Sequence, residues 1–292
     1  MLPRSRTRAA GALAALAVAA LLAACGSAAS SGSASGTPAS SAAAAAFDPA
    51  ASADVLLPAR TPAPGASVTL VVLVPGGGWD THDRSGLLPL ARTLEGAGYA
   101  VVATEYRALR DGVGFPTTVH DVECSVAWAA AQVKDAGYVP AHVVLVGHSA
   151  GGHLAMLVGV SDGALTAPCA DPMPHVDGVV GLAGVYDVRS FAYAMQDWFG
   201  SAPLDAAQEW DSGDPTYYVT SGFAPHGLRV LLLHGDDDAV VPVSQSRDFA
   251  DALRAGGYDV QLQVLPGQTH LSLIEPGVSG PPILRWLRAQ GW

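Results

Sequence analysis

Residues that together could carry out acyl transfer stand at well-separated points of this chain: a serine between glycines in "GHSAG", Gly147–Gly151, an aspartate run Asp236, Asp237 and Asp238, and a histidine, His270, near the end. A serine hydroxyl is a weak nucleophile at neutral pH. It needs a base to take its proton, and the base needs an acid to orient it. In a chain with 33 glycines the pentapeptide alone is a weak signal. Its surroundings make it stronger, because "HVVLVGHSAGGHLAMLVGV" passes from a continuous apolar run into a helical pattern, putting Ser149 at a strand-to-helix turn. Glycines on either side remove side chains that would collide there, and a helix N-terminus favours negative charge beside the serine. The N–H of Ala150 is then one expected oxyanion donor.

The elements that must position these residues are legible as alternating patterns. "TLVVLV", "AVVATEY", "HVVLVGH", "VDGVVGLAG", "RVLLLHG" and "DVQLQVL" are continuous apolar runs, the mark of strands buried on both faces. Between them "LLPLARTLEGAG", "TTVHDVECSVAWAAAQVKDAG", "GGHLAMLVGV" and "SQSRDFADALRAGG" carry apolar residues at helical spacing. This order predicts an α/β fold, a mostly parallel doubly wound sheet with helices on both faces. The interval 186–225 breaks the rhythm and is open to two readings: a small cap over the sheet's carboxyl edge, or a surface excursion with a short helix around "RSFAYAMQDWFG". The acid run closes the strand "RVLLLHG" and His270 follows the last strand, the chain order Ser, Asp, His. Side-chain directions alternate, so the three aspartates cannot all point inward, but position alone does not choose among them. Asp187, after "VVGLAGVY", suits a turn or cap.

Read as a set, "GHSAGGHLA", "HGDDDAVVP", "GQTH", "GVYD" and "VPGGGW" resemble α/β-hydrolases of the esterase and lipase type, the branch with carboxylesterases, feruloyl or acetyl esterase-like and kynurenine formamidase-like proteins. The resemblance covers the chain from about Asp54 to Trp292. It implies an α/β-hydrolase fold and a triad of Ser149, Asp238 and His270 acting through an acyl-enzyme. It also implies oxyanion donors at the N–H groups of Gly77 and Gly78, with Trp79 flooring the substrate pocket. The family's histidine before these glycines is Pro75 here, which leaves the bracing of the loop to be explained. The substrate implied is a small-molecule ester with a small or aromatic acyl group. The same triad also serves formamides and amides, and a non-catalytic binding lipoprotein on this fold is the reading from another class. A prolyl oligopeptidase-type peptidase would need a propeller for which the chain has no room. His148, inside the serine turn, is read either as a substrate contact or as a hydrogen-bonded histidine near the surface; His82 and Asp83 are equally open. His120, His153, His175 and His226 form no metal-binding pattern, with neither HExxH nor CxxC present, so no metal or other cofactor is expected.

The start of the chain reads as an export signal, with Arg4, Arg6 and Arg8 before an Ala- and Leu-rich apolar stretch. "LAAC", Leu22–Cys25, is similar to a bacterial lipobox, implying a signal over 1–24 and a lipidated Cys25 that anchors the protein to the outer face of the cell membrane. Residues 25–50, almost wholly Ser, Ala, Gly and Thr, read as a flexible tether, and 51–292 as the hydrolase domain. Loss of the three signal arginines takes the formal net charge from −11 to −14, which excludes nucleic acid as a natural partner. Outside the reducing cytoplasm Cys124 and Cys169 are open to disulfide formation; two separate buried thiols are the other reading. Oligomeric state is not legible.

Overall fold

The computed structural model describes residues 46–59, 63, 65–165, 167–222 and 227–292. The expected signal peptide, Cys25, most of the expected tether and His226 lie outside the described residues.

Seven strands form one sheet: β1 (Ala53–Leu56), β2 (Ala66–Val74), β3 (Ala100–Thr104), β4 (Tyr138–His148), β5 (Gly178–Leu182), β6 (Arg229–Gly235) and β7 (Asp259–Leu265). Their order is β1-β3-β2-β4-β5-β6-β7, parallel throughout except for β1, which runs antiparallel to β3. The six expected runs are the six parallel strands. The seventh, β1, is a four-residue, half-exposed edge whose sequence carries too little pattern to be read.

Among the described residues there are eight α-helices: α1 (Leu88–Gly96), α2 (Thr117–Asp135), α3 (Ala150–Ser161), α4 (Ala192–Phe199), α5 (Ala207–Ser212), α6 (Pro215–Thr220), α7 (Ser244–Ala255) and α8 (Pro276–Gln290). Strand side chains alternate between faces, so the interior parallel strands are apolar at both parities, whereas β7, an edge strand with no buried residue, carries Asp259, Gln261 and Gln263 at alternate positions and is not the doubly buried run expected. In β2, Leu70, Val72 and Val74 enter one core layer, with Leu154 of α3, Val122 of α2 and Phe249 of α7. Val71 and Leu73 enter the other, with Leu90 and Leu94 of α1 and Ile283 and Trp286 of α8. The step from β2 to β3 runs one way through α1, and the return from β3 to β4 crosses β2 through α2 on the opposite face. Right-handed crossovers in opposite directions require opposite faces. The reversal lies between β2 and β4, where such sheets leave a crevice beyond their carboxyl ends. The expected elements end at β7; α8 is additional, and Pro276, Pro281 and Pro282 within it interrupt the pattern by which a helix is read.

The excursion after β5 docks on the α2–α3 side of the sheet. Trp198, Phe199, Trp210 and Tyr218 are all buried in that core layer, with the Phe199 and Trp210 rings stacked at 4.2 Å. The Trp198 indole N–H donates to Thr118 Oγ1 of α2 at 3.2 Å, and its carbonyl accepts from Phe115 N–H at 2.8 Å. The sulfurs of Cys124, in α2, and Cys169, beyond α3, are 2.08 Å apart.

Trp210→Ala vacates a fully buried indole and is expected to cost about 3–5 kcal/mol in urea unfolding; a loss below about 1 kcal/mol would show that the excursion is not docked as described.

Candidate active site

β4 delivers Ser149 into a conformation that side chains rarely adopt, φ 54° and ψ −121°. Such a backbone costs of order 1–3 kcal/mol and persists only where its surroundings hold it. Here the Ser149 N–H donates to Leu182 O of β5 at 2.9 Å, while the Ser149 carbonyl accepts from His153 N–H at 3.0 Å. A side chain on Gly151 would collide with the carbonyl oxygens of Val74 and Pro75. Glycine there lets α3 begin directly against the end of β2, and every residue of the helix is buried.

The three aspartates separate by burial. Asp236 and Asp237 are exposed, and Asp236 Oδ1 accepts from Gly267 N–H at 2.6 Å. The Asp238 side chain is fully buried, its Oδ2 lying 2.7 Å from His270 Nδ1. Its Oδ1 accepts from the N–H groups of Val240 and Val241, each at 2.8 Å. Burial alone would raise the Asp238 pKa; the hydrogen bonds from His270, Val241 and Val240 outweigh it and hold the carboxyl below its ordinary value. Asp238 is therefore ionised at neutral pH and fixes the proton of His270 on Nδ1, leaving Nε2 bare. Asp187 is exposed and accepts from Arg189 N–H and Ser190 N–H at 3.0 and 3.2 Å, a turn role.

Ser149, His148, His270 and the glycine loop, Gly76–Gly78, line one cleft of about 380 Å³ at the carboxyl edge of the sheet. Leu87, Val240, Leu271 and Ile274 make its walls apolar, and Asp83 adds a carboxylate. Among the described residues no arginine or lysine lines it. Nor does any described residue of the interval 186–225, whose Trp198, Phe199, Trp210 and Tyr218 lie in the α2–α3 core layer. Ser149 Oγ and His270 share the cleft without a hydrogen bond between them; such contacts commonly tighten only when substrate is bound.

His148 lines the cleft, yet its ring is committed to the protein. Nε2–H donates to the His270 carbonyl at 3.0 Å, and the two rings lie 4.7 Å apart. Burial, then the neighbouring His270, pushes its pKa down to about 4, so it is a neutral brace on the His270 loop.

The expectation for Trp79 needs correction. Its indole does not line the cleft; it is 4% exposed and turned into the core, where Nε1–H donates to His153 Nδ1 at 3.0 Å. The reason is backbone direction: Gly77, Gly78 and Trp79 all have positive φ, and this left-handed passage swings the side chain beneath the loop. Gly77 is required for the turn, since a Cβ there would strike the Thr81 carbonyl. The Gly77 carbonyl accepts from Asp80 N–H and Thr81 N–H at 3.1 and 3.0 Å.

Where the resemblance leads one to expect a bracing histidine, Pro75 is held from the next strand. The buried Tyr106 hydroxyl, just past β3, donates to the Pro75 carbonyl at 3.0 Å. Behind the loop, His82 Nε2 lies 3.0 Å from Asp111 Oδ2, and Arg84 pairs with Glu105 at 2.8 Å and Asp54 at 2.6 Å. Asp83 caps the turn that follows, accepting from Ser85 N–H and Oγ–H, which keep its carboxyl below the usual range.

Two positioning residues have little sequence signal. Tyr106 has none. His234 is the first letter of "HGDDDAVVP"; its Nδ1 accepts from Ser246 Oγ–H at 2.7 Å and its Nε2–H donates to Val241 O at 2.9 Å, fixing the loop that carries Asp238.

The family model BD-FAE matches residues 53–253, more than half of the chain. The chain belongs to the BD-FAE family. Among curated proteins it is 30% identical over 221 residues to Esterase LipQ of Mycobacterium tuberculosis, spanning 71% of this chain and 51% of that one. It is 30% identical over 250 residues to Esterase LipC of the same organism, spanning 80% and 60%. The chain thus matches about half to three fifths of the length of these relatives. Among solved structures, a truncated carbohydrate esterase from gut microbiota superposes with a TM-score of 0.71 at 20% identity, covering 82% of this chain and 90% of that one. Propionate-bound esterase 2 of Thermogutta terrifontis gives 0.68 at 21%, covering 82% and 89%. The fold of this BD-FAE member is the α/β-hydrolase fold.

Tyr106→Phe is expected to lower stability by about 1 kcal/mol and to speed hydrogen–deuterium exchange selectively over residues 75–81; unchanged exchange there would assign the brace to other contacts.

Proposed function

We propose that this chain is a serine ester hydrolase that works through Ser149, His270 and Asp238. The observation that carries the reading is the buried Asp238 carboxylate 2.7 Å from His270 Nδ1, at a cleft that His270 shares with a serine held at φ 54°. Membership of the BD-FAE family and the 30% likeness to Esterase LipQ support it.

In this mechanism Ser149 Oγ attacks the ester carbonyl carbon and His270 Nε2 takes the hydroxyl proton. The carbonyl oxygen gathers negative charge, for which the N–H groups of Gly77, Gly78 and Ala150 are the donors. His270 then gives its proton to the departing alcohol oxygen, leaving an acyl-serine. Water, deprotonated by the same Nε2, releases the acid. Asp238 stays ionised throughout and stabilises the imidazolium. The apolar walls and the absence of a lining cation favour an uncharged ester with a small or aromatic acyl group, and Asp83 disfavours anionic ones.

The protein acts, in this proposal, outside the cytoplasm, anchored to the outer face of the membrane through a lipid on Cys25 and a tether over 25–50. Cys124 and Cys169, with Cα atoms 5.0 Å apart, are then joined as a disulfide.

Ser149→Ala is expected to lower turnover of p-nitrophenyl acetate by at least about 10³-fold and to abolish fluorophosphonate labelling. Asp238→Asn should lower turnover steeply and Asp187→Asn little; the reverse pattern would overturn the assignment of the acid. Faster turnover of an N-formyl aniline than of any ester would make the protein a formamidase, and a folded protein that neither labels nor turns over would make it a binding protein.

Mass spectrometry of unreduced tryptic peptides should recover 111–134 joined to 135–189, and a lipid precursor should label the parent protein but not Cys25→Ala. Separate peptides overturn the disulfide, and an unlabelled parent overturns the anchor.

A further inference from the structure

We propose that His153 is a positioning residue for the oxyanion loop: through Trp79 it sets, from beneath the cleft, the direction of the N–H groups of Gly77 and Gly78. The proposal rests on the ester-hydrolase reading, since it names what holds that reaction's charge-stabilising donors in place.

His153 is fully buried, and both ring nitrogens are occupied. Nδ1 accepts from the Trp79 indole N–H at 3.0 Å, and an indole nitrogen can only donate. Nδ1 is therefore bare and Nε2 carries the proton, which it donates to the Gly213 carbonyl at 2.8 Å. A single neutral tautomer satisfies both bonds, and a charged ring would turn an N–H toward an N–H. Burial, against the smaller opposing effect of the Gly213 bond, pushes the ring's pKa down to about 4, so this tautomer persists through the neutral range.

Trp79 is a bulky residue at φ 59°, a conformation that needs support. The support comes from the His153 bond, the edge-on His153 ring at 5.6 Å, Trp198 at 6.4 Å, and the Trp79 carbonyl accepting from Leu109 N–H at 3.0 Å. Two residues earlier the Gly77 carbonyl is turned inward to the N–H groups of Asp80 and Thr81. In a trans peptide the N–H points opposite the carbonyl, so the Gly78 N–H faces away from that turn, on the side of the cleft that Gly77 and Gly78 line. Neither glycine N–H has a protein acceptor among the described residues.

The geometry is economical in parts. His153 stands one helical turn after Ser149, and its own N–H donates to the Ser149 carbonyl. One turn of α3 thus holds the nucleophile above and the oxyanion loop beside it. A displacement of about 1 Å between such groups can cost 10²-fold in rate.

The test compares Trp79→Phe, which removes the indole N–H, with His153→Leu, which removes the acceptor, and His153→Asn, whose side-chain oxygen can replace Nδ1. With p-nitrophenyl acetate, kcat is expected to fall about 10- to 100-fold in Trp79→Phe and His153→Leu with KM within about twofold of the parent. His153→Asn should regain about tenfold or more over His153→Leu, and the Trp79→Phe/His153→Leu double variant should be no slower than the slower single one. Where circular dichroism shows His153→Leu unfolded, Trp79→Phe and His153→Asn carry the comparison. A Trp79→Phe kcat equal to the parent's, losses that multiply in the double variant, or no recovery in a folded His153→Asn would overturn the brace while the hydrolase reading stands. A parent that labels with fluorophosphonate yet hydrolyses no ester overturns the substrate reading alone, and labelling rates of the same variants then decide the brace; a parent that does neither overturns both.

Discussion

The close start of α3 against the ends of β2 and β4 is the constraint on which the site depends. With a Cβ at Gly151 the helix would strike the carbonyls of Val74 and Pro75 and would have to begin farther from the sheet. Ser149 would then be freed from its left-handed conformation and from the Leu182 carbonyl that holds it. His153 would also move, and the indole above it would lose its acceptor. Close packing without a side chain between the two elements turns a flexible hydroxyl into a positioned one, because the local strain is offset by contacts on all sides.

The remaining parts are each held by buried polar groups whose hydrogen bonds are satisfied within the protein. Asp238 is fixed by Val240 and Val241 and, through the same loop, by His234. The His270 loop is fixed at its carbonyl by His148. The glycine loop is held by Tyr106 at Pro75 and by His153 at Trp79. His148 and His153 are kept neutral by burial, so they act as fixed donors and acceptors. A buried group with its hydrogen bonds satisfied is costly to move, and that cost is what gives the cleft its definition.

The interior parallel strands were readable because burial on two faces forces continuous apolar runs, and Ser149 because the turn that carries it demands glycine. Position alone did not separate the three aspartates and the resemblance named Asp238; it is the one whose side chain is buried against His270, a difference that the letters Asp-Asp-Asp do not carry. The resemblance located Trp79 correctly in the loop but not the direction of its side chain, which depends on three successive positive φ values. Short β1 and proline-interrupted α8 escaped for want of periodicity. Tyr106 escaped because a brace from another strand leaves no local trace.

The docking of 186–222 bears on what is free to move. Trp198, Phe199, Trp210 and Tyr218 commit their aromatic surface to the α2–α3 layer, so these residues hold no apolar face in reserve with which to close over the cleft. The apolar walls around Ser149 are Leu87, Val240, Leu271 and Ile274, all carried by other parts of the chain.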